Sequence, residues 1–219
     1  MSDEARAFIL AQTILTQPSA VPELTLYLAT EVTPLWQMTE ERMKKNDLPP
    51  PYWAFAWPGG QGMARYILDH PEVVRGKRIL DFAAGCGVAA IAAMKAGAKS
   101  VVAAEIDPMA IAAIKMNAAY NNVEIGTSDE INFEKAYKDV DLIIAGDVCY
   151  QQAMAAKMMR WLWYCIAAGT RVLLADPGRA YIPHDGLTEL ARYEVPTSRD
   201  LEDRDSRMVV IWNVDLPKE

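Results

Sequence analysis

"ILDFAAGCGVAA", residues 79–90, decides the fold. An apolar run that carries one carboxylate, Asp81, passes into a glycine turn and then into alanine-rich sequence. Such an order describes a buried strand, a tight turn and the helix that follows it in a doubly wound sheet. From Gly85, the run Gly85-Cys86-Gly87-Val88-Ala89-Ala90 satisfies the nucleotide-binding pattern G-x-G-x-x-G/A. That pattern alone is a weak signal, and it leaves the ligand open.

Outward from this stretch, strands and helices alternate from Lys77 onward. Apolar runs predict strands at Arg78–Phe82, Ser100–Ala104, Val123–Ile125, Leu142–Ala145 and Arg171–Ala175. Helices are predicted at Val88–Ala96, Pro108–Asn121 and Gln151–Ala168; Asp107 and Pro108 are a cap and a first-turn proline for the second. Beyond Pro177 the period changes: Leu187–Ala191 reads as a short helix, Arg192–Val195 as a strand and Arg207–Asp215 as a long final strand. The expected fold is α/β: a doubly wound, Rossmann-like, seven-stranded, mostly parallel sheet with an antiparallel edge strand and helices on both faces.

The chain before residue 70 lacks strong strand patterns. Ala5–Thr13, Glu23–Thr30 and Pro34–Asn46 read as helices, followed by an extended Pro49-Pro50-Pro51 arm. The aromatic run "YWAFAWPGGQGMARYILDH" ends in a Pro-Gly-Gly turn before helical spacing of Met63, Tyr66 and Ile67. Residues 1–70 are thus expected to be a helical extension with a Pro-rich, aromatic arm, part of the same domain as a catalytic unit over 71–219.

The 219 residues are 52% hydrophobic and 23% charged, ample for one α/β domain. No apolar run approaches the roughly 20 residues a membrane helix needs. A net charge of −7 disfavours a nucleic-acid backbone and suits a basic protein surface. Three cysteines without a CxxC argue against a structural metal, and with the acidic start MSDEARAFIL they set the expectation of a cytoplasmic protein.

Asp81 discriminates between ligands. A diphosphate wants a helix N-terminus with no carboxylate aimed at it. S-adenosylmethionine has no phosphate and carries an ammonium and a sulfonium, which a carboxylate at the strand end suits. The bland reading makes Asp81 a cap for the next turn. Glu105, 20 positions after Gly85, is placed for ribose hydroxyls in either case. "LIIAGDVCYQQ", residues 142–152, delivers Asp147 and Tyr150 to the same edge, over the methyl end of the ligand where Asp147 also borders the cofactor, since the fourth strand is expected beside the first. A helix-capping aspartate and a packing tyrosine are the plain alternative there.

"ILDFAAGCGVAAIAA", "AAEIDPMA" and "GDVCY" together resemble the seven-β-strand methyltransferases, and the D-x-x-Y form resembles the branch holding many protein-lysine methyltransferases. "PPPYWAFAWPGGQGMARYIL" is similar to the segment before the first motif in lysine methyltransferases of the electron transfer flavoprotein β subunit. One departure is Ala83, where that motif usually has glycine. The resemblance implies S-adenosylmethionine as cofactor, with Asp81, Gly85 and Gly87 around its methionine part and Glu105 on the ribose. It places Ile106 and Asp107 beside the adenine, Ser128 and Asp129 at the adenine edge, and Trp57 over the cofactor or, equally, as an anchor of the arm.

The implied acceptor is a lysine of electron transfer flavoprotein β; another protein, such as a ribosomal protein, or a small amine is the alternative. A NAD-dependent oxidoreductase is disfavoured by Asp81, and a scaffold without turnover by the intact D-V-C-Y. Asp147 and Tyr150 are the expected catalytic residues: Asp147 attracts and orients the ammonium by side chain or backbone carbonyl, while Tyr150 helps exclude water. His70 and His184 are expected at the surface, and Cys149, Met154, Met158 and Met159 in packing.

Overall fold

The computed structural model describes residues 2–30 and 50–217. Helix α1 (Asp3–Gln12) is capped by Ser2, whose Oγ accepts from the Ala5 amide at 3.1 Å. Strands β1 (Ile14–Thr16) and β2 (Leu26–Leu28) form a small antiparallel pair. A short 3-10 turn at Tyr52–Ala54 precedes α2 (Pro58–Asp69). The alternating part then runs β3 (Arg78–Phe82), α3 (Val88–Lys95), β4 (Ser100–Ala104), α4 (Pro108–Tyr120), β5 (Gly126–Ser128), β6 (Leu142–Gly146), α5 (Gln152–Ala167) and β7 (Arg171–Asp176). It closes with β8 (Leu187–Pro196), the single turn α6 (Arg199–Glu202) and β9 (Ser206–Val214).

The seven-stranded sheet has the order β5-β4-β3-β6-β7-β9-β8. Strands β3 to β7 pair in parallel, while β9 lies antiparallel to both β7 and β8. Each central strand divides its apolar residues between two cores. Ile79, Leu142, Ile144, Leu173 and Ala175 join one cluster with α2 and α3. Leu80, Ile143, Ala145, Val172 and Leu174 join the other with α5. Burial on both faces is what makes these strands continuous apolar runs. In α4, Asp107 Oδ1 accepts from the Met109 amide at 2.8 Å, and Pro108 opens the helix as expected.

Five local expectations are corrected. Residues Glu23–Thr30 are not helical: Leu24, Leu26 and Leu28, two apart, are all buried, and β2 forms from them. That is a strand period, and with β1 it gives the N-terminal part the strands its sequence had not shown. Pro-Gly-Gly is the first turn of α2, not a loop, because the glycines press on the sheet. At Val123–Ile125 the Val123 amide instead closes the end of α4 on the Ala118 carbonyl, so the strand starts at Gly126. Leu187–Ala191 belongs to β8, which pairs along β9 and absorbs a register shift between Glu189 and Ala191. The helix expected at Pro34–Asn46 lies outside the described residues.

The N-terminal pair is sewn to the sheet's helices by two amides. Asn121 Oδ1 accepts from the Thr25 amide (3.3 Å) and its Nδ2 donates to the Thr25 carbonyl (2.7 Å). One turn earlier, fully buried Asn117 accepts from the Tyr27 amide at 2.7 Å and donates to the Cys86 carbonyl at 2.9 Å. A single side chain therefore joins β2 to the glycine turn.

Candidate active site

Strands β3, β4 and β6 end level with one another, Phe82 facing Ala104 and Ala145. Their continuations therefore meet at one edge. After β3 the chain reverses through three left-handed residues: Ala83 (φ 56°), Gly85 (φ 54°) and Gly87 (φ 81°). Glycine is the usual tenant of Ala83's place because an alanine there carries a strain of about 1 kcal/mol. A side chain at Gly85 would meet nothing within 4 Å, so the turn borders open space.

The carboxylates at this edge are tied to backbone amides. Asp81, 3% exposed, accepts from the Ala90 amide in the first turn of α3 at 3.0 Å. Burial, with the Glu105 charge adding to it, pushes its carboxyl up to about 7. Glu105 accepts from Gly85 (3.1 Å), Ile106 (2.8 Å) and Asp107 (3.3 Å), strapping the turn to the start of α4; burial raises it too. The Glu105 amide donates to the Ser128 carbonyl, which sets β5's end beside it. Asp81, Gly85, Gly87, Glu105 and Ser128 are thus brought together. Ile106 is 76% exposed, an apolar face turned outward. Asp107 acts as the α4 cap, the Ser128 hydroxyl donates to the Glu130 carbonyl, and Asp129 is exposed.

Beyond β6, Asp147 is left-handed (φ 59°) and its side chain is 11% exposed. Oδ2 accepts from the amides of Gly59 and Gly60, capping α2. Oδ1 accepts from Arg179 Nε (3.1 Å) and Nη2 (2.6 Å). Burial pushes the carboxyl up to about 6 against the pull of Arg179, so it is ionised at neutral pH. Arg179 also forks onto Glu202 (3.1 and 2.6 Å), and Glu202 accepts from Arg207 at 2.9 Å.

An aromatic wall completes the edge. The Tyr150 ring lies 5.9 Å from Tyr52, which sits 5.7 Å from Trp57. Trp57 Nε1 donates to the Tyr52 carbonyl at 2.9 Å, so it anchors the arm as one of its two readings required. Tyr150 is 48% exposed. Cys149 is fully buried, burial lifts its thiol to about 12, and its carbonyl accepts from the Tyr181 amide; it is a packing residue. Met158 and Met159 are buried as expected, whereas Met154 is 40% exposed. His70 and His184 are both exposed, as expected, and His70 packs on Tyr66. Among the described residues no group of three or more His, Cys, Asp or Glu could hold a metal ion, and no helix is long and apolar enough to cross a membrane.

Sequence reasoning missed Arg179, Glu202 and Asn117. The signal for Arg179 was Asp176-Pro177-Gly178-Arg179, a turn at the end of β7. Asp176 Oδ1 accepts from the amides of Gly178 and Arg179, which aims the arginine back at the edge.

The ribosomal protein L11 methyltransferase (PrmA) family model matches residues 65–149. An electron transfer flavoprotein beta subunit lysine methyltransferase from Danio rerio is 39% identical over 217 residues, 96% of this chain and 83% of that protein. One with the same name from Homo sapiens is 39% identical over 184 residues, 82% of this chain and 68% of that protein. Among solved structures, magnesium protoporphyrin IX methyltransferase (ChlM) from Synechocystis PCC 6803 with bound SAM is similar, with a TM-score of 0.52 and 14% identity over 82% of this chain and 93% of that one.

Proposed function

The chain belongs to the electron transfer flavoprotein beta subunit lysine methyltransferase family, and from that premise we propose that it carries a methyl group from S-adenosylmethionine to a lysine of electron transfer flavoprotein β. The observation that supports this best is the meeting of two motifs at one sheet edge, the acid-bearing glycine turn after β3 and the D-x-x-Y loop after β6. The match to the ribosomal protein L11 methyltransferase family ends at residue 149. It supports the chemistry of the cofactor half and says nothing in favour of a ribosomal acceptor.

The residues suit the cofactor. Open space borders Gly85, the apolar Ile106 face is exposed, and the carboxylates at the edge, Asp81 and Glu105, favour a cation and oppose a diphosphate. Bound there, S-adenosylmethionine supplies a methyl group activated by positive sulfur. Asp81, Gly85 and Gly87 hold its methionine part, Glu105 the ribose, Ile106 and Asp107 one side of the adenine, and Ser128 and Asp129 its edge. Trp57 closes over the cofactor while anchoring the arm, and Tyr150 walls the acceptor side. We take residues 71–219 as the transfer unit and 1–70 as an extension of the same domain that helps to recognise a protein partner, with no role for metal, membrane or nucleic acid. A cytoplasmic site of action is our reading, supported by the three buried, unpaired cysteines.

The acceptor must be a neutral amine. A lysine of pKa about 10.4 is neutral roughly once in 2,500 at pH 7, a cost of about 4.6 kcal/mol. Four N–H donors occupy the Asp147 carboxylate, about as many as a carboxylate accepts. The orienting group left at that residue is its backbone carbonyl. Tyr150 and Tyr52 exclude water from the amine, and its proton leaves to solvent before transfer.

Incubation of the enzyme and labelled donor with electron transfer flavoprotein should label lysines of its β subunit; no label there, with label on another protein, overturns the acceptor. A second expectation concerns pH. Asp81 holds a proton below about 7 and loses it above, and a cationic ligand pairs with the ionised form. The affinity for S-adenosylhomocysteine, which keeps the ammonium, should therefore weaken up to about tenfold per pH unit below that point. Calorimetry in buffers of different ionisation heat should show proton release on binding, and Asp81→Asn should bind weakly with a flatter pH profile. Wild-type affinity that does not change between pH 5.5 and 8 would remove Asp81 from the cofactor site.

A further inference from the structure

Resting on the reading above, we infer that Arg179 is a positioning residue for the transfer step: it neutralises and holds the Asp147 carboxylate, so that the D-x-x-Y loop presents its backbone, and not a bare negative charge, to the incoming lysine. A free carboxylate beside the acceptor would stabilise the ammonium and keep the amine from attacking. The protein needs the aspartate for another purpose, since its Oδ2 caps α2 and fixes that helix on the end of β6. Arg179 reconciles the two demands by forking onto Oδ1.

The arginine is itself held. Its far side forks onto Glu202, whose side chain is 2% exposed, and Arg207 from β9 grips the same carboxylate. Two cations and two anions thus form one chain from α2 to the terminal hairpin: Asp147, Arg179, Glu202 and Arg207. Charge-assisted forks of this kind fix geometry as well as sign. The other titratable groups around Asp147 are Asp176, which orients Arg179 through its amide, and Cys149 in the loop itself. From α2 the groups in contact are the Gly59 and Gly60 amides. Tyr150, on the acceptor side, feels Arg179, Glu105 and Tyr52. Arg179 is the cation in direct contact with Asp147; without it the buried carboxyl holds its proton to higher pH, and in the alkaline range where the lysine loses its own proton it stands as an unpaired negative charge.

The test is the pH dependence of kcat for methylation of electron transfer flavoprotein by wild type, Arg179→Met and Arg179→Lys. Arg179→Met should lower kcat about 100-fold at pH 7.5, the scale of a lost positioning contact. Its affinity for S-adenosylhomocysteine should stay within about threefold. The rising limb of log kcat against pH, which follows loss of the lysine proton, should move up by about one pH unit. Arg179→Lys restores the charge without the fork, and should return the limb to its wild-type place while kcat remains low. A kcat within about threefold of wild type in Arg179→Met, or a fall in kcat with the limb unmoved, overturns the inference. Should Arg179→Met fail to fold, Arg179→Gln, with donors but no charge, is read the same way. A wild type that labels a different protein overturns the acceptor reading alone, and the profile is then measured on that protein. A wild type that labels no lysine overturns both.

Discussion

Asp147→Ala is expected to abolish methyl transfer, by at least about a thousandfold, while S-adenosylhomocysteine still binds. The same change should cost about 3–5 kcal/mol of stability, as removal of one partner from a buried ion pair does. Two losses combine. The amides of Gly59 and Gly60 lose their cap, worth about 1 kcal/mol, and Arg179 loses one of its two carboxylates. The activity loss follows from the loop, since Asp147 is held at a φ of 59° by these contacts, and without them its carbonyl and Tyr150 no longer face the acceptor together. Asp147→Asn keeps the volume and one acceptor, and should fall between. Chemical denaturation, calorimetry and transfer rates measured on the same preparations separate these effects. Transfer by Asp147→Ala within about tenfold of wild type would take the loop out of the mechanism.

Gly59→Ala is the second large effect, and Gly60→Ala is its control. A Cβ on Gly59 would lie 2.5 Å from Asp147 Oδ2, 2.7 Å from the Asp147 amide nitrogen and 2.8 Å from the Ala175 carbonyl oxygen. Two of these are backbone atoms, one just past the end of β6 and one in β7, so α2 must lift off the sheet. The expected loss is more than about 3 kcal/mol, with turnover lost because the Asp147 cap is broken. A Cβ on Gly60 meets the Val88 Cγ1 at 3.1 Å, a side chain that can turn. There the helix preference for alanine, about 1 kcal/mol, offsets the crowding. Gly60→Ala should stay within about 1 kcal/mol of wild type in thermal unfolding. Equal effects of the two substitutions would contradict the close approach of α2 to β6.

The parts of the fold set by local sequence were legible. The β3 turn, the Asp107 cap and the apolar runs of β4, β6 and β7 announce themselves within a dozen residues, and the alternation then dictates that β6 lies beside β3. Short strands were less so. The three-residue β2 offered only Leu24, Leu26 and Leu28 as a period, and two prolines nearby obscured it. The polar β8 exposes most of its residues, so its strand character comes from pairing with β9 and not from its own composition. The Pro-Gly-Gly run reads as a turn until the strand pressed against it is seen. At the site, Asp81, Glu105 and the D-x-x-Y aspartate were found, but both aspartates had a second occupation. Asp81 caps α3, the helix that follows its own turn, as its plainer reading had it, whereas Asp147 caps α2, a helix from far earlier in the chain. The partners that explain Asp147, Arg179 and then Glu202, stand 32 and 55 positions along the chain, a distance over which residue spacing carries no information.

The amides of Asn117 and Asn121 set a rule for how this lineage can vary in length. Four residues of helix rise about 6.0 Å and two residues of strand about 6.7 Å, so Thr25 and Tyr27 fall opposite successive turns of α4. Insertion or deletion of one residue within β2 would turn its leucines outward and withdraw both backbone amides. Variation within β2 is therefore confined to steps of two.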